Sequence, residues 1–213
     1  MKNRIWRLVL IFLLMALAGG CTEKSDKKIF YETQQTLNKI DSYYCEVEII
    51  SKGNKNPQEY VMKQWFQKPD KYKLEVLKPD DIKGKITISD GTKAWIYHPA
   101  IEQTWIMQNF VNSEEQNMFL GYFIKNCLES EAVEMSNKKI DGEQFLIVTT
   151  DIPGNHAYFN KEVLYYNVKT RKPHLLQVYD VKDQLRIEIK YKNFEYNPKL
   201  GVELFQIGRG EGK

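Results

Sequence analysis

Beyond residue 40 the chain alternates between apolar and polar positions. In YYCEVEII, Glu46 and Glu48 fall between Cys45, Val47 and Ile49; in YKLEVL, Tyr72, Leu74 and Val76 face one way and Lys73 and Glu75 the other. QLRIEIKYKNF puts Leu185, Ile187, Ile189 and Tyr191 inside and Arg186, Glu188, Lys190 and Lys192 outside. A period of two describes strands with one buried and one wet face, the habit of antiparallel sheets. Turn residues punctuate these runs at Lys68-Pro69-Asp70, Lys78-Pro79-Asp80, Asp90-Gly91, His98-Pro99, Asp141-Gly142 and Pro153-Gly154. The pattern predicts eleven strands, near 43–51, 58–67, 71–77, 85–90, 93–98, 103–108, 143–151, 159–168, 173–180, 184–194 and 202–207.

Two segments leave that rhythm. IFYETQQTLNKI, residues 29–40, spaces Ile29, Tyr31 or Thr33, Leu37 and Ile40 as a short amphipathic helix. SEEQNMFLGYFIKNCLES, between the sixth and seventh predicted strands, reads as a second helix. Ser113 would cap it, Glu114 and Glu115 suit its first turn, and Met118, Phe119, Tyr122, Phe123 and Cys127 line one side. A helix apolar over so much of its girth needs something to cover, and a curved sheet with an open concave face is the natural host. The expected architecture is one α+β domain, a curved antiparallel sheet with helices on its concave face.

The front end follows other rules. Lys2, Arg4 and Arg7 precede an apolar run, Leu8–Ala18, which is shorter than the about 20 residues that span a bilayer. A charged start, a short apolar middle and the small residues Ala18, Gly19 and Gly20 describe an export signal. Cys21 follows at once, and the join resembles the lipobox of bacterial lipoproteins. That resemblance implies cleavage before Cys21 and acylation of its sulfur, of the kind palmitate labelling detects. Two acyl chains, at about 0.8 kcal/mol per buried methylene, would hold the chain on a membrane surface. The expected organisation is a leader over 1–20, a tether over 21–28, one domain over 29–207 and a tail over 208–213.

Charge removes one class of partner. The chain carries 31 Lys+Arg against 28 Asp+Glu, and Lys2, Arg4 and Arg7 of the leader account for the excess. Without the leader the domain is electrically balanced, so electrostatics give no case for nucleic acid. Beyond the anchor only Cys45 and Cys127 remain. An exported pair can form a disulfide within or between chains, or stay reduced as small buried apolar residues.

No catalytic pattern is present in the sequence. His98, His156 and His174 fall at predicted turns or strand ends, none spaced with a cysteine or a second histidine as zinc sites require. There is no Gly-x-Ser-x-Gly elbow, no phosphate-cradling glycine loop and no Cys-x-x-Cys. The reading is a non-enzyme without metal or cofactor. The residues left over are aromatic: Trp65, Trp95, Tyr97 and Trp105, with Phe110, are candidate cavity or interface groups, although core packing is the commoner fate of such rings.

The segment Phe66–Trp105 contains Ser89, Asp90, Gly91, Lys93, Trp95, Tyr97 and Pro99, in an SDG.K.W.Y.P arrangement after an aromatic-turn-Pro-basic hairpin. It resembles the lipoprotein carrier and receptor superfamily of LolA and LolB, and the related sporulation and germination lipoproteins of Gram-positive spore formers. The resemblance implies an unclosed barrel of about eleven antiparallel strands with helices plugging the hollow. The acylated Cys21, the absence of a placeable lid-holding arginine and the lysine- and asparagine-rich composition look like the clostridial germination branch of the GerS type. That branch implies a membrane-anchored, non-catalytic partner of the spore-cortex amidase CwlD in muramic-δ-lactam formation, on the outer face of a cell or spore membrane. A carrier-like alternative holds lipid or lipoprotein acyl chains in the hollow. Open sheet edges also allow a homodimer.

Overall fold

The computed structural model describes residues 26–53, 56–110, 114–154 and 156–206. The leader, Cys21, Ser113 and the tail lie outside the described residues. Helix α1 (Asp26–Asn38) begins within the stretch read as tether. Six strands follow: β1 (Ser42–Ser51), β2 (Gln58–Gln67), β3 (Lys71–Lys78), β4 (Ile86–Ser89), β5 (Lys93–His98) and β6 (Gln103–Gln108). Then come helix α2 (Leu120–Glu129) and β7 (Val133–Ile140), β8 (Glu143–Asp151), β9 (Lys161–Asn167), β10 (Lys172–Tyr179) and β11 (Leu185–Tyr196).

All eleven strands form one antiparallel sheet in the order β6-β5-β4-β3-β2-β1-β11-β10-β9-β8-β7. The chain therefore runs outward from the middle to one edge, crosses by α2, and returns from the other edge to the middle. The sheet does not close, since β6 and β7 end it without pairing to each other. This is the expected open barrel with helices on its concave side.

Alternation sets the register. Tyr43, Cys45, Val47 and Ile49 of β1 and Ile187, Ile189 and Tyr191 of β11 are buried on the inner face. Asn193, at φ 50°, forms a bulge between the Tyr44 and Glu46 rungs, so Phe194 also points inward although it lies three residues past Tyr191. At the Asp90-Gly91 turn the Asp90 carboxylate accepts from the Thr92 and Lys93 amides at 2.9 and 2.8 Å. Gly91 sits at φ +96°, and a Cβ there would lie 2.8 Å from that of Asp70.

The hollow beneath α2 is filled with rings. Tyr43 stacks on Phe66 and Phe194 at 5.3 and 5.0 Å between centroids, and Phe119 packs on Tyr72 at 4.4 Å. Tyr122 meets Phe66 edge-on at 6.0 Å. Gly121 lets α2 settle on this cluster: a Cβ on it would stand 2.1 Å from Cζ of Phe66.

Three expectations are corrected. Of the strand expected over 202–207, residues 202–206 are described and do not form one, and 207 lies outside the described residues; Val202–Phe205 is a 3-10 turn that buries Phe205. The eleventh strand is instead β7, whose VEMSNKKI shows little alternation because an edge strand is wet on both faces. The second helix is broken: Glu114–Met118 is 3-10, and α2 starts after Phe119.

Candidate functional site

A cavity of about 300 Å³ opens between α1, α2 and the β7–β8 hairpin. Phe30 and Leu37 of α1, Phe123 and Cys127 of α2, and Leu146 and Val148 of β8 wall it. At its rim Leu128 is 72% exposed and Met135 41%, so the apolar lining continues onto the surface. The α1 wall is pinned from one side by Arg171, whose guanidinium lies 3.4 Å from Glu32, and from the other by Lys68, which donates to the Asn38 carbonyl at 3.2 Å. Arg171 lies in the β9–β10 turn and so holds the helix from the rim of the sheet rather than from inside it. Its carbonyl accepts from the Tyr166 and Tyr196 hydroxyls, both at 2.7 Å.

Behind the cavity lies a buried carboxyl. Glu162 of β9 shares the inward side with Leu164 and Tyr166 and is wholly enclosed. Asn126 of α2 donates to its Oε2 at 3.1 Å, while Oε1 has no hydrogen-bond partner. Burial raises its pKa to about 8, against a smaller lowering by Asn126, so the group is protonated at neutral pH. Burial, with the nearby Glu162 charge, also pushes the Cys127 thiol up to about 12. Cys45 is buried and its thiol too is held well above the usual range, first by burial and then by Glu46. Both cysteines are free, and such thiols are poor nucleophiles. Among the described residues no three of His, Cys, Asp and Glu gather as a metal site would require.

The four aromatic candidates lie elsewhere. Directly paired residues share a face, and the ladder Tyr44–Trp65–Lys73–Ile88–Trp95–Ile106 runs across the outer side of β1 to β6. Tyr97 lies on the same outer side, paired with Ile86 and Thr104. Lys73 stands over the Trp65 ring at 5.5 Å, and Tyr44 packs against that ring at 5.3 Å. Trp105 alone takes inner parity, paired with Ile96, yet it is 45% exposed. None of the four lines the α1–α2 cavity. Arg186, predicted to face solvent, is largely covered instead: Asp180 accepts from its Nε at 2.7 Å and Nη2 at 2.5 Å, and the Tyr158 ring lies 5.3 Å away.

Sequence reasoning missed the cavity walls and Glu162. The available signal was an acid at inward parity in KEVLYYN. The walls carry no such mark, because they come together only when α1 and α2 dock.

The sequence model of the family described as sporulation protein YdcC-like matches residues 1–205. The chain belongs to this family. The sporulation protein YdcC of Bacillus subtilis (strain 168) is 17% identical over 195 residues, a match covering 91% of this chain and 56% of that protein; the chain thus spans little more than half of its length. An outer-membrane lipoprotein carrier protein of Photorhabdus laumondii is 23% identical over 207 residues, covering 93% of this chain and 97% of its own. A chain from the structure of the CwlD amidase of Clostridioides difficile in complex with the GerS lipoprotein is 35% identical, covering 83% of this chain and 98% of that one, with a TM-score of 0.48. An uncharacterized conserved protein from Thermus thermophilus shares the fold, at 13% identity and a TM-score of 0.54 over 89% of this chain and 98% of its own. The YdcC-like chain thus has sporulation proteins and lipoprotein carriers as relatives.

Proposed function

We propose that this YdcC-like chain is an exported lipoprotein of spore formation, anchored through Cys21, that acts by contact rather than by chemistry of its own. Its partner would be a cortex peptidoglycan amidase of the CwlD type, which it binds and enables in muramic-δ-lactam formation. The 35% identity to a chain of the CwlD–GerS complex carries this reading. In support, the cysteines have strongly raised pKa values and the concave face beneath α2 is packed with rings. The test is to mix the purified chain with a CwlD-type amidase and follow complex formation and amidase turnover on cortex peptidoglycan. A complex at micromolar concentration with a gain in turnover is expected; no complex, or turnover by the chain alone, would overturn the proposal.

The α1–α2 cavity favours a second reading, the holding of an acyl chain. Its lining is apolar and its mouth is open, the features of a site for one hydrocarbon tail. Lipid found with the chain after gentle extraction, and lost on Leu146→Trp, would support it; a lipid-free chain would reject it.

A further inference from the structure

A second cavity, of about 250 Å³, shares no wall residue with the α1–α2 cavity. It lies on the inner face of β1 to β4 and is bounded by the 3-10 turn Glu114–Met118. Gln64 of β2, itself wholly buried, donates to the Met118 carbonyl at 3.1 Å and ties that turn to the sheet. Ile49, Met62, Leu74, Val76 and Ile187 give the cavity apolar walls.

Two charged side chains line this apolar space. Glu115 comes from the turn, and its Oε2 is enclosed without a hydrogen-bond partner. Lys85 comes from the sheet. The Val76 amide donates to its carbonyl at 2.9 Å, which seats it beside inward-facing Val76 and at the same parity as buried Thr87. Neither forms an ion pair among the described residues. They stand too far apart to pair with each other, yet the Lys85 charge partly offsets the rise that burial gives the Glu115 pKa. An enclosed carboxyl oxygen with no donor is rare in a folded chain and calls for something that meets it. A lone ammonium on Glu115 would face the charge of Lys85, and a lone carboxylate on Lys85 would face that of Glu115. A zwitterion satisfies both, and an apolar body fills the walls between them. The volume falls below the roughly 300–1,000 Å³ of sites for drug-sized ligands, which suits one large side chain.

We infer that this cavity is a binding site for a free α-amino acid with a large apolar side chain. Its ammonium meets Glu115, its carboxylate meets Lys85, and its side chain lies among Ile49, Leu74 and Val76. The site rests neither on the amidase reading nor on the α1–α2 cavity.

Titration of the full chain with L-phenylalanine, followed by protein NMR, tests it. The comparison compounds are 2-phenylethylamine, which lacks the carboxylate, and 3-phenylpropionate, which lacks the ammonium. L-Phenylalanine is expected to bind with a Kd of about 1 mM or tighter, and each analogue about tenfold or more weakly. Glu115→Gln should erase the preference over 3-phenylpropionate, and Lys85→Met the preference over 2-phenylethylamine. Leu146→Trp, which fills the α1–α2 cavity, should leave binding unchanged. Equal binding of the three compounds, preferences that survive both substitutions, loss of binding on Leu146→Trp, or no binding of L-phenylalanine at about 10 mM would each overturn the proposal. The three compounds on the unsubstituted chain decide the matter even where a variant does not fold. Loss of amidase binding by the unsubstituted chain removes the amidase reading alone and leaves this site standing.

Discussion

Glu162 makes the fold sensitive to alkali. Its folded pKa, about 8, lies above its ordinary value of 4.5, so the folded state holds the proton more tightly than the unfolded one. Stability from this group is complete below about 4.5 and is lost as pH rises through about 8. Glu162→Gln keeps the shape and removes the titration, so its melting temperature should fall less over that window. At the alkaline end it should gain on the order of 1–3 kcal/mol over the unsubstituted chain. Parallel melting curves for the two proteins against pH would refute this. Gly121 is the second residue on which much rests, because its missing side chain is where the Phe66 ring lies. Gly121→Ala should destabilise by about 1–3 kcal/mol in urea unfolding despite alanine's better helix propensity. Adding Phe66→Leu should return part of that loss, which separates a clash from an effect on the helix alone.

Among the elements, the seam between β1 and β11 is stitched at its end by one side chain. Asn197 Oδ1 accepts from the amides of Asp41 and Ser42 at 2.8 and 3.2 Å, and its Nδ2 donates to the Lys39 carbonyl at 2.9 Å. Asn197→Ala removes all three contacts and should cost about 1–3 kcal/mol, with faster amide exchange at Asp41 and Ser42 than elsewhere in β1. The interior strands β1, β3 and β11 were legible in the sequence because each has one dry and one wet face. β7 was not, because both its faces meet solvent and no contrast survives in its residues. Parity put Trp95 and Tyr97 on one face, but assigning that face to the outside needed the inward anchor of Tyr72 and its partners Ser89 and Ala94. Asp180 and Arg186 mask each other's charge, so alternation misread the arginine as solvated.

For the whole molecule, the expected lipid at Cys21 decides where the sheet works. Cys21→Ala should lose palmitate label and release the chain from membranes while leaving its thermal unfolding unchanged; equal labelling of both proteins would refute the anchor. The strand order adds a mechanical consequence. Tyr43 pairs with Tyr196, so the chain enters and leaves the sheet at the same end of one antiparallel seam. Tension between the two termini would therefore peel β1 from β11 rung by rung, like a zipper, and would never load the ladder in shear. The weak direction of the fold runs through its middle, and a clamp that spans both halves would be what resists it.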